Sequence, residues 1–313
     1  VLSVYFFSLF ATMKHEPIVH PKYPHEYKKL TFNEMRRLLQ DIRQNPVRKP
    51  ALVYFCGMEL LQNHAGALGD EIWSIYEQVL IAALDVNQIA DAEFCWVKLS
   101  DRFSKESQRV QRLKAMILEA EGNYDLAEEV YKDILEETNK CDIHSHKRRV
   151  AIAKARGNRA DAIGKLEEFL KLYQTDEEAW HELACLHLDG CEYSKACYCY
   201  EELILHDPNN WMFMLKYAEC LYSLGEKKHM LEARKYYAQS ICLHDSVRNL
   251  RSYYGLWICC IMLATQYNMK DNAENKDLLK WVVSKLRGLY TTHCSEGQAA
   301  KPLLMLKMNQ LSE

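Results

Sequence analysis

The 313-residue chain is 49% hydrophobic and 27% charged, a balance that buries a sizeable core and excludes a disordered polymer. Its formal net charge of -3 gives no global excess to draw it to nucleic acid or to an anionic bilayer. Twelve cysteines lie scattered, mostly inside helical patterns and without the spacing of a disulfide scaffold, so free thiols in a reducing compartment are expected.

Val1 to Ala11 is apolar but far short of the ~20 residues a spanning helix needs, and it lacks the basic segment of a signal peptide. A membrane anchor is not expected there. Pro17, Pro21 and Pro24 then forbid a continuous helix, so residues 1–30 are expected to form an irregular extension. From Thr31, the sequence TFNEMRRLLQDIRQ sets Glu34 three residues after a Thr cap and spaces Met35, Leu38, Leu39 and Ile42 for an amphipathic helix. Pro46 and Pro50 end it, and Ala51 to His64 supplies a second helix before the turn at Gly66 to Asp70. This pair, residues 31–68, reads as a degenerate N-terminal capping hairpin.

Residue types then recur at a period of about 34, beginning at Trp73, Gln108, Ile143, Glu177 and Trp211, which is the spacing of a tetratricopeptide helical hairpin. The twentieth position is Ala92, Ala127, Ala162, Ala196 and, after a short insertion between Gly225 and Met230, Ala233. A small side chain is needed where the second helix of a hairpin crosses the first. One turn further lie Trp96, Tyr131, Leu166, Tyr200 and Tyr237, followed on the same face by Leu99, Ile134, Phe169, Leu203 and Ser240. The turn position is Asn87, Gly122, Gly157, Cys191 and Gly225, where a left-handed residue is expected to end the first helix. The pattern weakens at the fourth and seventh positions, where Gln111, Lys114, His146 and Arg149 replace apolar residues.

Beyond Asp245 the period blurs. Leu250 to Gln266 and Asp277 to Tyr290 read as a further hairpin around the polar loop YNMKDNAENK, and Lys301 to Leu311 as a terminal helix shielding the last apolar face. The expected fold is all-α, a right-handed superhelical solenoid over residues 31–313: the capping hairpin, five regular repeats over 73–247, and the closing hairpin and helix over 248–313.

Chemistry-bearing constellations have plainer explanations in this register. HELACLH, His181 to His187, has Cys185 where a zinc-protease motif needs its second histidine, and His187 falls off that face. Cys197 and Cys199 point to different sides of one helix, and no CxxC pair exists. The basic run His144 to Arg156 lacks interleaved aromatics for nucleic-acid stacking and reads first as a solvated face. No Gly-rich phosphate loop or nucleophile elbow is present. No catalytic, metal or cofactor residue is assigned, and neither a nucleic acid nor a small-molecule substrate is expected.

The fold supplies a groove, lined by the second, fifth, ninth and twelfth positions of the first helices. It includes Ser74, Glu77 and Ile81, then Arg109, Arg112 and Met116, then His144, Lys147 and Lys154, then His181 and Leu188, then Met212, Leu215 and Tyr222. Of these, Arg109, Arg112, Met116, Lys147, Lys154, His181, Leu215 and Tyr222 are the candidate partner-binding residues. A basic centre and an apolar C-terminal end favour an extended polypeptide with acidic and hydrophobic side chains.

Longer wording also matches. GDEIWSIYEQVLIAALD, GNYDLAEEVYKDIL, KRRVAIAKARGNRADAI, DEEAWHELA and the EEL and HDPNN segments between Glu201 and Asn210, over about Thr31 to Gln266, resemble the family of subunit 2 of the endoplasmic reticulum membrane protein complex. The resemblance implies a non-catalytic solenoid on the cytosolic face of that membrane, in a complex that inserts transmembrane segments. It implies association with the bilayer through partners: membrane-embedded subunits, whose cytosolic segments it cradles, and a second soluble cytosolic subunit. The alternative is a tetratricopeptide cochaperone or adaptor that binds an extended acidic peptide. That reading needs a basic fifth position with Asn at the ninth, to fix a terminal carboxylate. Here the pairs are Arg112 with Met116, Lys147 with Ala151 and His181 with Cys185, and the Asn is missing each time.

Overall fold

In the computed structural model, which describes residues 30–45, 48–269 and 272–293, every regular element is helical. The 1–29 extension and the expected helix at Lys301 to Leu311 lie outside the described residues. Contacts divide the chain into two compact units, Val1–Gly157 and Asn158–Glu313.

The first unit contains α1 (Phe32–Gln44), α2 (Pro50–Asn63), α3 (Glu71–Asp85), α4 (Ile89–Phe103), α5 (Gln108–Ala120), α6 (Tyr124–Asp133, continued by a π-helical turn Ile134–Thr138) and α7 (Ile143–Ala155). Each packs against the next, and α3 also touches α5, so first helices of neighbouring repeats meet directly. The Glu34 carboxylate accepts from both the Thr31 N–H at 2.7 Å and the Thr31 hydroxyl at 2.8 Å, anchoring the start of α1. These bonds, the backbone one foremost, hold the Glu34 carboxyl below its ordinary range.

The second unit contains α8 (Arg159–Leu172), α9 (Glu177–Asp189), α10 (Tyr193–His206), α11 (Trp211–Leu224), α12 (Lys227–Leu243), α13 (Leu250–Thr265) and α14 (Ala273–His293). Again successive helices pack, with α11 also reaching α13. The last helix begins at Ala273 rather than at Asp277, because the Asn272 side chain accepts the Asn275 N–H at 2.9 Å and starts it inside the polar loop. Asn275 is itself buried, donating to the Cys260 carbonyl at 2.9 Å and accepting from Arg234 at 3.2 Å.

The repeat register holds at every position that decides it. Ala92, Ala127, Ala162, Ala196 and Ala233 are all fully buried, and the aromatic or aliphatic residues one turn later are buried at Tyr131, Leu166, Tyr200 and Tyr237. Trp96 is half-buried and donates to the Val110 carbonyl at 3.1 Å, bridging to the next repeat. The five turn residues, Asn87, Gly122, Gly157, Cys191 and Gly225, all have positive φ. Only Asn87 and Cys191 carry a side chain there, and at Cys191 it costs roughly 1–2 kcal/mol relative to glycine. The eleven cysteines among the described residues are free thiols. Burial pushes the Cys56 thiol up to about 11 and that of Cys260 up to about 12, which suits inert core side chains.

Ser240 is the odd member of the buried stripe, and its surroundings explain it. Its hydroxyl donates to the Trp211 carbonyl at 2.9 Å, while Asn249 donates to the Ser240 carbonyl at 3.0 Å and to the His244 carbonyl at 3.1 Å. Ser252 donates to the Asn249 side-chain oxygen at 2.5 Å, and Ser240, Asn249 and Ser252 are fully buried. This network ties the short turn Val247–Asn249 to the end of α12, and it replaces apolar packing where the repeat period blurs.

Two stability changes follow from the register. Ala196→Leu forces methylenes into a closed crossing and should destabilise by roughly 1–3 kcal/mol in chemical denaturation; an unaltered midpoint contradicts the crossing. Cys191→Gly relieves the left-handed turn and should raise stability by about 1 kcal/mol, and a lower melting temperature contradicts the assigned backbone conformation.

Candidate functional site

The groove residues of the first unit stand on α3, α5 and α7. Arg109 on α5 reaches back to Glu77 on α3 in a two-point pair, with Nε to Oε1 at 2.8 Å, and this bond raises the Arg109 pKa. Arg112, one turn on, reaches forward to Asp142 at 3.1 Å. Asp142 is buried and also caps α7, accepting from the Ser145 N–H at 2.9 Å and the Ser145 hydroxyl at 2.5 Å. Together these two arginines join three successive first helices. Met116 is half-buried against the N-terminal core.

The basic run on α7 is also engaged within its own unit. Arg148 forms a fork with Glu119, with bonds of 2.9 and 2.5 Å, and the Tyr131 hydroxyl donates to the same carboxylate at 2.7 Å. Arg156 pairs with Asp125 at 2.6 Å and Glu128 at 3.1 Å, and Arg149 lies 3.8 Å from Glu128. Lys147 is half-buried and Lys154 and His144 are exposed. Three of the run's cations therefore hold α7 to α5 and α6, a role that sequence periodicity could not distinguish from a solvated face.

In the second unit, His181 on α9 lies 6.4 Å, ring to ring, from both Tyr200 and Phe213, so the structure brings α9 and α11 together there. Cys185 Sγ lies 3.9 Å from His181 Nδ1, and the buried His187 is turned to Glu192 at 3.1 Å. Among the described residues, no three His, Cys, Asp or Glu side chains gather as a metal-binding group. Tyr222 is half-buried, whereas Leu215 is only 6% exposed and contributes to packing rather than to an open surface. Glu219, between them, takes Arg251 at 2.9 Å and Lys216 at 3.3 Å.

Sequence periodicity missed the features that lie between helices. A cleft of about 640 Å³ opens between α8 and α10, with Trp180 and Leu183 of α9 in its lining and Tyr198, which is 55% exposed, against the Trp180 ring at 5.9 Å. A second, of about 580 Å³, has walls from α10 and α12. In the first unit a cavity of about 210 Å³ lies among α3, α4 and α5. Exposed aromatics such as Phe103 and Tyr198 were the available signal, but they become legible only once the hairpins are packed.

Comparison with known proteins sets this geometry in a lineage. Residues 96–254 match a family described as the EMC2 TPR-like repeat domain. The chain is 36% identical over 263 residues to ER membrane protein complex subunit 2 of Xenopus tropicalis, covering 83% of this chain and 87% of that protein. It is 33% identical over 263 residues to the Dictyostelium discoideum protein of that name, covering 80% and 81% of the two chains. Among solved structures, the C-terminal part of a TPR repeat-containing protein from Cytophaga hutchinsonii superposes with a TM-score of 0.56 at 17% identity, over 84% of this chain and 97% of that one. That likeness establishes the repeat fold. No helix among the described residues is long and apolar enough to cross a membrane.

Burial holds the His181 pKa below its ordinary value, with Lys216 adding to the effect. The unfolded chain therefore binds the proton more readily, so this residue's contribution is present above the ordinary histidine range and is lost as pH falls through it. His181→Gln should flatten the fall in melting temperature between pH 7.5 and 5.5; parallel profiles for the two proteins contradict that assignment.

Proposed function

Because this chain belongs to the family of ER membrane protein complex subunit 2, we propose that it serves as a non-catalytic scaffold subunit on the cytosolic face of the endoplasmic reticulum membrane. In this reading it joins a complex that inserts transmembrane segments. Its first-helix face holds cytosolic segments of membrane-embedded subunits, and a second soluble subunit docks beside it. The observation that carries the proposal is the 36% identity to a relative of that name over 83% of the chain, more than either unit contains, together with the family match over residues 96–254. Association with the bilayer is through partners.

The physical support is a face of ordered first helices. Arg109 and Arg112 set the spacing of that face through Glu77 and Asp142, and exposed Ile81 and His144 provide contact surface. Met116, Lys147 and Lys154 complete the proposed contact set of the first unit on α5 and α7, and His181 and Tyr222 form that of the second on α9 and α11. A cochaperone that clamps a terminal carboxylate is less well supported. Its fifth-position arginine, Arg112, is already bonded to Asp142, and Met116 stands where the clamp needs Asn.

Affinity purification from detergent-solubilised membranes should recover membrane-embedded subunits, and protease added to intact microsomes should degrade the chain. Recovery without membrane subunits, or full protection from protease, contradicts the proposal. Ile81→Glu combined with His144→Glu, both at exposed positions, should lower that recovery about tenfold with circular dichroism unchanged. Equal recovery moves the contact off the first-helix face.

A further inference from the structure

The cavity among α3, α4 and α5 is lined on its apolar side by Trp73, Leu99, Phe103, Val110 and Leu113, and its volume is about 210 Å³. A dry cavity of about 150 Å³ accommodates benzene, so this one has room for a single aromatic side chain. Its lining is unusual in leaving large apolar groups in view: Phe103 is 47% exposed and meets Trp73 edge-on at 5.6 Å between ring centroids.

Two polar groups without a hydrogen-bond or ion-pair partner among the described residues, the Arg102 guanidinium and the Trp73 indole N–H, lie beside this apolar space. The Arg102 guanidinium lies 5.9 Å from the ring centroids of both Trp73 and Phe103 and pairs with no carboxylate among the described residues. Of the other arginines of the same unit, eight make ion pairs, Arg36, Arg43, Arg48, Arg109, Arg112, Arg148, Arg149 and Arg156, while Arg37 on α1 makes none among the described residues and sits away from this cavity. Trp73 donates its indole N–H to no described residue, although the indoles of Trp96 and Trp180 each bond a carbonyl. Ser107, also in the lining, makes no side-chain cap bond to α5. Glu77 contributes a carboxylate to the lining, but Arg109 holds it in a two-point pair. The connection that shapes this rim starts at Ser104, with φ 72 and ψ 145, a conformation close to a region that is essentially glycine's. Such strain persists where surrounding structure holds it, and it gathers at ligand clamps.

We propose that this cavity is a socket for one aromatic side chain of a partner polypeptide, with Arg102 and the Trp73 N–H receiving a carboxylate next to it. The chemistry is complementary on both counts: an apolar space of single-ring size, and a cation already stacked on the rings that line it. Arg102 is the specificity residue, because an unpaired guanidinium beside an apolar pocket selects an acidic neighbour over a basic one. This deepens the scaffold reading and rests on it, since Arg109 at the cavity's edge belongs to the proposed first-helix face.

The test uses the full chain and a fluorescein-labelled ten-residue peptide with one phenylalanine flanked by aspartates, read by fluorescence polarisation. Saturable binding is expected. It should weaken about tenfold when the peptide's phenylalanine becomes alanine or its aspartates become lysines, and likewise with Arg102→Glu protein. Ser107→Phe, which removes no cap bond and fills the mouth, should weaken it as well. No saturable binding, equal binding of the alanine or lysine peptide, or full binding by Arg102→Glu overturns the socket. Binding to phosphatidylserine vesicles without binding to the peptide assigns the rim to lipid and also overturns it. A chain that binds the peptide but recovers no membrane subunits overturns the scaffold reading alone. One that recovers them while Arg102→Glu keeps full peptide binding overturns the socket alone.

Discussion

The close crossing of two helices at a buried alanine is the constraint on which the rest of the structure depends. At Ala92, Ala127, Ala162, Ala196 and Ala233 no side-chain volume remains to be exposed, so the second helix of each repeat lies directly on its neighbours. The aromatic or aliphatic residue one turn later, as at Tyr131, Leu166, Tyr200 and Tyr237, is then driven into the core by geometry. Gly255 extends the logic beyond the regular repeats, because a Cβ there would run into the buried Tyr237 ring. Loss of one crossing splays a hairpin and shifts the helices packed on it within its unit.

Charge does its main work inside the repeats. Arg109 with Glu77, Arg112 with Asp142 and Arg148 with Glu119 connect helices about one repeat apart, and Arg251 with Glu219 repeats the device in the second unit. The more exposed of these, Arg109 with Glu77 and Arg251 with Glu219, contribute up to about 1 kcal/mol each, too little to drive folding. Their value is directional, since a fork-shaped guanidinium fixes the offset between neighbouring helices. A chain of nearly neutral net charge thus carries a dense basic run on one helix whose Arg148, Arg149 and Arg156 are engaged by carboxylates of the same unit. Arg102 has the Trp73 and Phe103 rings as its company and no carboxylate among the described residues.

Most of the fold was legible in the sequence because a solenoid repeats its instructions. The positive φ at Cys191 was readable from its place in the register even though cysteine gives no turn signal of its own. Recognition of the family was likewise available from longer matched wording, and the comparisons support it over most of the chain. The site was less legible. Periodicity can place Arg112 and Leu215 on a given helix face, but it does not reveal that Asp142 from the next repeat captures the first or that packing covers the second. The early start of α14, capped by Asn272, and the polar network at Ser240 were hidden for the same reason, since both depend on which side chains meet after packing. Cavities such as the one beside Trp73 arise between elements and have no periodic signal.

The central claim is that ordered first helices, spaced by internal arginine–carboxylate pairs, form the face on which partner polypeptide docks. An electron-microscopy density map of the complex purified from membranes through this chain tests it most directly. The account predicts partner polypeptide against the first helices α3, α5 and α7 or α9 and α11, with the Arg109–Glu77 and Arg112–Asp142 pairs intact. Partner density confined to the second helices, or arginines drawn away from their carboxylates onto the partner, would contradict it.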